Sequence, residues 1–436
     1  MRNFKNVDFI IRGDAEIPLL NLMDGLSKGA PGLSSVPNLT WRNGTKVIHN
    51  EQNYVADEAD INKLSFSNFE LMENFATYTK IHFDLFDYSG VLLNRYNTFF
   101  LCVGRGCSAT CSFCGGSRLS HKIISARTKP VFRSAKNVLA TTKDAARAGI
   151  DCIYVSFDPE PKRNYYLELF RLIRIHKIDI SLVFECWGLP TVKFIEEFKK
   201  TFGRGKYSKI VLSPETACER LRKLNKGFFY TNTRLLSVLG HLKKRKIFTD
   251  VYFTYPLPCA LPADIESTLR FIELIKQRFG CYSSVCVQGL ELDPASAMFI
   301  YPERYNIVKK VKSFSGYCDN KIKRKFIING LEEKRLRRIY RKLANAGRPD
   351  KLLYWGWTQF SLKRYGEVIK AITKAIDEYR DIGLYLLLAA CYEENQENNM
   401  ALKTYKEALK VFSGERSISI RLAKLYLKLQ YYKDKQ

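Results

Sequence analysis

The strongest constraint on the fold is an alternation of strand-like and helix-like segments between residues 96 and 300. Six short runs rich in β-branched and aromatic residues predict strands at 98–103, 152–157, 178–184, 209–212, 248–254 and 284–287. The amphipathic patterns between them predict helices at 131–148, 163–177, 191–202, 231–246 and 263–279. This alternation is typical of parallel βα units, which bind ligands at the carboxyl ends of their strands. We therefore expect an α/β core whose functional residues follow the strands.

A cysteine-rich segment follows the first predicted strand. Cys107, Cys111 and Cys114 have the spacing C-x3-C-x2-C, and Gly115 and Gly116 come directly after them. Three thiolates on one short loop can bind one metal centre, and a four-iron cluster held by three cysteines leaves one iron open for another ligand. The segment therefore predicts a [4Fe-4S] cluster.

The same segment has other interpretations. A zinc site would need a fourth ligand, for which Cys102 is the nearest candidate, and the cysteines could also be unrelated to one another. The run Gly104-Arg-Gly106-Cys-Ser-Ala109 fits the G-x-G-x-x-G/A fingerprint of dinucleotide-binding proteins. We exclude a dinucleotide, because no long helix follows the run and no acidic residue lies about 20 positions further on.

The cysteine motif, with Phe113 directly before its third cysteine, resembles the cluster loop of the radical S-adenosyl-L-methionine (SAM) superfamily. The resemblance implies a partial (β/α)6 barrel with the cluster loop after its first strand. It also implies that the open iron of the cluster chelates the amino and carboxylate groups of SAM. The loop residues expected beside this cofactor are Phe113, Gly115 and Gly116.

Two further segments extend the resemblance. Asp158 ends the second predicted strand, where the family binds the methionine amine, although the usual G-G-E pattern is absent. Ser213 and Glu215 end the fourth strand and begin a run, 213–227, that is similar to the E-S-x-x-x-x-L-x-x-x-N-K-G pattern of the cobalamin-linked subclass. The resemblance implies that both contact SAM, whereas the residues alone could equally form a helix N-cap with a first-turn acid. Further residues near strand ends could face a substrate or pack in the core: Tyr252, Tyr255, Gln288 and Glu291.

Residues 1–95 predict a small α/β region, with a strand at 7–11, a helix at 16–26 and a hairpin around Asn43-Gly44. It resembles the end of the cobalamin-binding domain that precedes the radical domain in that subclass. The D-x-H-x-x-G motif of such a domain, which supplies the histidine ligand, does not occur. We therefore expect no cobalamin binding, and we expect surface or packing roles for the five histidines, His49, His82, His121, His176 and His241.

The carboxy-terminal region repeats with a period near 34 residues, which is the period of tetratricopeptide repeats. Small and aromatic residues recur in register, and a third unit begins near 422: Trp355, Gly356, Gln359, Val368, Ile372 and Ala375 correspond to Leu388, Ala389, Tyr392, Ala401, Tyr405 and Ala408. This pattern predicts helical repeats that bind a protein partner. A plain helical bundle is the alternative.

Charge suggests a second kind of partner. The 71 Lys and Arg residues against 44 Asp and Glu leave a net charge of +27, which favours binding to polyanions. The densest basic block lies before the repeats: Lys321, Lys323, Arg324, Lys325, Lys334, Arg335, Arg337, Arg338, Arg341 and Lys342. Nucleic acid is thus a possible partner, but the repeats are the more specific signal. No apolar run approaches the roughly 18 residues of a membrane span and no signal peptide is visible, so we expect a cytoplasmic protein.

We therefore expect four regions: 1–95 as the remnant of a cobalamin-binding-type domain, 96–305 as the radical SAM barrel, 306–350 as a basic helical linker, and 351–436 as helical repeats. The expected function is that of a radical SAM enzyme, which takes an electron from a ferredoxin- or flavodoxin-type donor and cleaves SAM to a 5′-deoxyadenosyl radical. The alternative is a non-catalytic iron-sulfur scaffold or an RNA- or protein-binding module.

Overall fold

The structure is a computed structural model. It describes residues 1, 4–27, 32–81, 97–162, 164–203, 208–279, 282–290, 292–309, 313, 316, 326–328, 342–343, 348–379, 381–412 and 416–433. His82, Glu291 and the basic linker residues between 321 and 341 lie outside the described residues.

The amino-terminal region contains a three-stranded antiparallel sheet in the order β1-β2-β3. Its strands are β1 (Phe9–Ile11), β2 (Leu39–Asn43) and β3 (Lys46–His49), and the predicted hairpin joins the last two. The helices of this region are α1 (Glu16–Ser27), α2 (Glu58–Lys63) and α3 (Phe75–Ile81). The helix α1 was predicted, but its apolar residues are mostly exposed: Ile17, Leu19, Leu20, Met23 and Leu26. Only Pro18 and Leu22 of this helix are buried, because the small sheet covers one narrow side of it.

Asp14 joins this region to the start of the cysteine-rich loop. Its carboxylate forms ion pairs with Arg105, at 3.2 Å, and with Arg127. The same carboxylate accepts a hydrogen bond from the N–H of Ala56, and Arg127 donates to the carbonyl of Ala56. Asp14 and Arg127 are both buried, so the pairing fixes the amino-terminal sheet against the chain that flanks the loop.

Six parallel strands form the central sheet, as the alternation predicted. After β4 (Thr98–Phe100), the short strands β5 (Gly104–Arg105) and β6 (Val131–Phe132) pair with each other. The remaining parallel strands are β7 (Cys152–Phe157), β8 (Ser181–Cys186), β9 (Lys209–Glu215), β10 (Phe248–Tyr255) and β11 (Ser283–Gly289). Their spatial order is β11-β10-β9-β8-β7-β4, so each new βα unit adds its strand beside the previous one. This is the α/β arrangement of a partial (β/α)6 barrel.

Helices cover one face of this sheet. They are α4 (Arg118–Ser125), α5 (Ala135–Arg147), α6 (Tyr165–Ile175), α7 (Val192–Phe202), α8 (Glu219–Asn225), α9 (Asn232–Lys244) and α10 (Pro262–Phe279). The N-cap residues of α5, α7 and α9 are Ser134, Thr191 and Thr231. Each of these side chains accepts a hydrogen bond from the third backbone N–H of its helix. The main core lies between sheet and helices, where Phe184 of β8 contacts rings of α6 and α7.

The described chain after the sheet is mainly helical. A short helix α11 (Ala297–Ile300) precedes the antiparallel strands β12 (Ile307–Lys309) and β13 (Phe326–Ile328), which lie where a helical linker was predicted. Five helices follow: α12 (Arg348–Ser361), α13 (Tyr365–Tyr379), α14 (Ile382–Glu394), α15 (Asn398–Val411) and α16 (Arg416–Lys433). Consecutive helices pack together, and Ala389, Ala401 and Ala408 are fully buried in their core. The assignment of these helices to tetratricopeptide repeats, and the four region boundaries, stay predictions.

Asp381 caps the helix α14 from a partly buried position. Its carboxylate accepts hydrogen bonds from the N–H groups of Gly383 and Leu384, at 2.9 and 3.2 Å. Burial nevertheless raises the pKa of Asp381 to about 6, from an ordinary value of 3.8. Because the folded-state pKa is raised, the charged carboxylate reduces stability above pH 6, and this loss disappears as the pH falls through 6 towards 4.

We therefore expect Asp381→Asn to raise the thermal unfolding midpoint at pH 7.5, since Asn caps a helix as well as Asp and carries no charge. The gain should correspond to roughly 1–3 kcal/mol at pH 7.5 and shrink towards zero near pH 4. Asp381→Ala, which removes the cap as well as the charge, is the matched control and should fall below Asp381→Asn at every pH. An Asn variant less stable than the wild type at pH 7.5 would contradict this account.

Candidate active site at the carboxyl ends of the strands

Each cysteine of the loop accepts a hydrogen bond from a backbone N–H group. Ala109 N donates to the Sγ of Cys107 at 3.3 Å, and Gly116 N donates to the Sγ of Cys114 at 3.3 Å. The third donor, Gly227 N, belongs to a distant segment of the chain. It lies 3.2 Å from the Sγ of Cys111. Such donors stabilise thiolates and the negative charge of thiolate-bound metal centres.

The run Asn225-Lys226-Gly227 packs directly on the loop. Asn225 binds Ser112 twice: its Oδ1 accepts from the Ser112 hydroxyl at 2.6 Å, and its carbonyl accepts from the Ser112 N–H at 2.9 Å. Gly227 lies so close that an added Cβ would stand 2.5 Å from the backbone nitrogen of Thr110 and 2.6 Å from the Cβ of Ala109. Glycine is therefore required where this run meets the loop.

A third segment, 293–298, holds the other side of the loop. The Asp293 carboxylate accepts from Gly115 N at 3.1 Å, and Met298 N donates to the Ser112 carbonyl at 2.9 Å. Gly115 also needs to be glycine, because an added Cβ would lie 2.9 Å from the carbonyl oxygen of Pro294. Phe113 packs against a small separate core that contains Met298. The loop is thus fixed from two directions.

The three thiols lie within electrostatic reach of one another. Burial raises the pKa of Cys107 to about 11, and Cys111, Cys114 and Asp158 add to the increase. Burial also raises the pKa of Cys114 to about 11, with contributions from Cys111, Asp293 and Glu215. Buried thiols of this kind bind a metal centre as thiolates, because the metal charge reverses the effect of burial and releases the protons. The donor set and its N–H partners therefore fit an iron-sulfur cluster.

Within the described ranges, no group of three His, Cys, Asp or Glu side chains converges on one point as a single ion would require. A four-iron cluster binds each cysteine through a different iron, so its ligands need not meet at one point. Cys102, the fourth ligand of the zinc interpretation, instead directs its thiol at the carbonyl of Gly104, at 3.7 Å. Its neighbours are Arg133 and Arg105.

Glu215 ends the strand β9 in an uncommon backbone conformation. Its φ is +64°, in the left-handed region that side chains other than glycine rarely adopt. The buried carboxylate accepts a hydrogen bond from the Thr254 hydroxyl at 2.5 Å and pairs with the Lys226 ammonium at 3.4 Å. Burial lowers the pKa of Lys226, but Glu215 and Tyr230 outweigh this effect and leave the pKa raised. A charged pair is thus held in a strained position beside the loop, which is common at functional sites.

Ser213 and Glu215 belong to a strand end rather than to a helix start. The next helix, α8, begins at Glu219 with Cys218 at its N-cap position. The helix-cap interpretation of Ser213 and Glu215 is therefore wrong. Instead, both residues line a cavity on the inner face of the sheet.

Asp158 lies directly after β7, at the same edge of the sheet. Its Oδ1 accepts a hydrogen bond from Glu160 N at 3.0 Å, and an added Cβ on Gly188 would lie 3.7 Å from this oxygen. Burial raises its pKa, against the lowering effect of the Glu160 N–H. The loop, Asp158 and Glu215 thus lie together at the carboxyl ends of the strands, as the sequence predicted.

The other candidate residues differ in their positions. Tyr252 and Gln288 line the inner cavity, whereas Tyr255 packs against the main core. His49 bonds to the Thr40 hydroxyl at 3.0 Å, and His241 lies beside Arg245. These histidines therefore have local packing roles.

Four residues at this site were not singled out in the sequence. Asn225, Lys226 and Gly227 stand in a motif that the resemblance covered, so their signal was present. Asp293 belongs to no recognisable pattern, because the loop that it contacts is 178 positions away along the chain.

Residues 101–272 match the family model of the Radical SAM superfamily. The fold is similar to two structures of the radical SAM methyltransferase TsrM from Kitasatospora setae. One, with cobalamin and a [4Fe-4S] cluster bound, gives a TM-score of 0.52 at 13% identity. The other, with tryptophan substrate and the SAM analogue aza-SAM bound, gives 0.51 at 14% identity.

Both similarities cover 70% of this chain and 57% of the TsrM chain, so the chain spans less than two thirds of the length of that protein. At these identities the likeness establishes the fold alone. A search of the curated proteins found no match. The family match therefore places residues 101–272 in the Radical SAM superfamily.

We expect Gly227→Ala to lower the iron and sulfide content severalfold after anaerobic reconstitution. The added methyl group would push the loop away and displace the N–H that points at Cys111. Gly240→Ala, in the middle of α9 with no atom within 4 Å of the new Cβ, is the matched control and should keep the wild-type content. Equal iron content in the two variants would show that the close approach is not needed.

Proposed function

We propose that this chain is a radical SAM enzyme that holds a [4Fe-4S] cluster with Cys107, Cys111 and Cys114 and cleaves SAM reductively to modify a substrate. The observation that supports this most is the set of three backbone N–H groups directed at the three Sγ atoms. A structural group of buried thiols would not need these donors, whereas anionic ligands of a metal centre do.

When bound, the cluster supplies one electron to the sulfonium of SAM, which yields methionine and a 5′-deoxyadenosyl radical able to remove hydrogen from a substrate carbon. The protein chain positions the cofactor and excludes water around it. Asp158 is suited to the methionine ammonium, because its carboxylate lies near Cys107. Ser213 and Glu215 are suited to form hydrogen bonds with the ribose hydroxyls or with the methionine end of SAM.

Gly115, Gly116 and Phe113 complete the cofactor side of the proposed site. The two glycines present backbone without side chains beside the third cysteine, so SAM can approach closely. Phe113 lines an open cavity of about 470 Å³ next to the loop, together with Gln288 and Asp293. The ring is therefore available for contact with the cofactor.

Such an enzyme needs a reductant, for which we propose a ferredoxin- or flavodoxin-type protein. The five helices α12 to α16 are a further candidate surface for a protein partner. The second candidate function is that of a binding module or a non-catalytic iron-sulfur scaffold. Nucleic acid is the less favoured partner, as in the sequence analysis. In the described part of the chain, no helix has the length and apolar character that crossing a membrane requires.

Replacement of Cys107, Cys111 or Cys114 by Ala should each abolish the cluster, which in the wild type should amount to about four iron and four sulfide atoms per chain. Each variant should also lose the release of 5′-deoxyadenosine from SAM under reduction. Cys102→Ala is the matched control, because the Cys102 thiol faces a backbone carbonyl. Zinc in place of iron, or loss of iron from the Cys102 variant alone, would refute the assignment. A wild-type protein that holds the cluster but releases no 5′-deoxyadenosine would favour the scaffold.

Cobalamin is present in one TsrM structure, but we propose that this chain does not bind it alone. The D-x-H-x-x-G motif does not occur, and the described amino-terminal residues form only a three-stranded antiparallel sheet with short helices. We expect no corrinoid absorbance after incubation with cobalamin and gel filtration. An equimolar amount of retained corrinoid would contradict this proposal.

A further inference from the structure

The inner face of the sheet lines a partly open chamber of about 340 Å³. This volume is at the lower end of the range for small-molecule sites, roughly 300–1,000 Å³. Its lining comes from β7 to β11: Tyr154, Val183, Glu185, Lys209, Val211, Ser213, Glu215, Asp250, Tyr252, Thr254 and Gln288. Closed barrels usually fill such positions with branched aliphatic side chains, but only Val183 and Val211 are of that kind here. The lining of the chamber is therefore mainly polar.

Two of the three carboxylates in the chamber have cationic partners. Asp250 pairs with Lys209, with Nζ and Oδ2 at 2.6 Å, and also accepts a hydrogen bond from the Ser284 hydroxyl at 2.6 Å. Glu215 pairs with Lys226, as described above. Each pair is buried and close to neutral in total charge.

Glu185 is the third carboxylate, one residue before the end of β8. Its Oε2 accepts a hydrogen bond from the Tyr154 hydroxyl at 2.7 Å. Across the described ranges, no Lys, Arg or His side chain forms an ion pair with Glu185. Burial and the neighbouring Glu185 charge both raise the pKa of Tyr154, so the phenol stays protonated and donates its hydrogen bond. Glu185 is half-buried, and the described residues offer its carboxylate a neutral donor but no opposite charge.

We propose that the chamber binds a small organic cation, with a substrate ammonium or guanidinium group placed on the carboxylate of Glu185. This deepens the proposed function and rests on it. Such a cation would supply the missing opposite charge and form a charge-assisted hydrogen bond. Tyr252 also lines the chamber, and aromatic side chains attract cations.

The position of the chamber suits a substrate of the proposed reaction. The chamber shares Thr254 and Gln288 with the open cavity that contains Phe113, so the two spaces adjoin. A molecule held on Glu185 would therefore lie next to the place proposed for SAM. Glu185 thus acts as a specificity-determining residue that selects the charge of the substrate.

Ligand binding to the full-length, anaerobically reconstituted protein tests this inference. The probes are alkylammonium ions from methylammonium to hexylammonium, 2-phenylethylammonium and guanidinium, each compared with its neutral counterpart, the matched alcohol or urea. Titration calorimetry or saturation-transfer NMR measures the affinities. We expect at least one cation to bind, and its neutral counterpart to bind at least tenfold more weakly. The probes differ in length and width, so the series tests cations of several sizes in this chamber.

Variants of Glu185 test whether its carboxylate binds the cation. Glu185→Gln should weaken the bound cation at least tenfold, and Glu185→Ala should do the same if the amide variant folds poorly. Glu266→Gln, an exposed residue of α10, is the matched control and should bind like the wild type. Iron content and the thermal midpoint establish that each variant is folded. The inference is overturned if no cation in the series binds, if the neutral counterparts bind equally well, or if the Glu185 variants keep the wild-type affinity.

Failure of this inference can be separated from failure of the proposed function. Release of 5′-deoxyadenosine tests the proposed function without a substrate cation. Cation binding that depends on Glu185, in a protein that never cleaves SAM, would support the chamber and refute the radical enzyme. Cleavage of SAM without cation binding would support the radical enzyme and refute the binding of a cation in the chamber.

Discussion

The alternation of side chains along the parallel strands is the constraint on which the rest of this structure depends. In β8, Leu182 and Phe184 face the helices and belong to the main core, whereas Val183 and Glu185 face the inner chamber. A shift of one residue in the pairing register of β8 would exchange these two sets of side chains. Burial of the aromatic layer under α6 and α7 therefore also decides which polar residues face the chamber. The energetics of packing and the chemistry of the site are thus set by the same pattern.

The cysteine-rich loop shows how the folded core positions a segment that has no regular secondary structure. The loop follows β5, a strand of two residues, and contains three cysteines and two glycines, so local structure alone would leave it many conformations. Two distant segments restrict it, one through Asn225 and Gly227 and the other through Asp293. Their contacts supply donors to the thiols and close packing of the backbone. Preorganisation of this kind is what a metal site needs from residues beyond its ligands.

The sequence predicted much of the core, and the differences have physical causes. All six parallel strands were expected, but β4 is shorter than predicted because the chain turns at Gly104 to pair with β6. β9 is longer and includes Pro214, a residue that usually argues against a strand. The short helices α4 and α8 were not predicted, because seven or eight residues give too little periodicity to distinguish them from loops. The apolar pattern of α1 predicted a helix correctly but not the exposure of its apolar residues.

The sequence by itself predicted three cysteine ligands and the class of cofactor that they would hold. The spacing of Cys107, Cys111 and Cys114, and the polar residues at strand ends, were enough to predict a site and the edge of the sheet where it lies. Only the tertiary structure decided that Glu215 lies between Thr254 and Lys226, and that Glu185 has no cationic partner among the described residues. These contacts depend on packing between separate βα units. Residues far apart in the chain meet only when helices and sheet are assembled, so no local pattern records them.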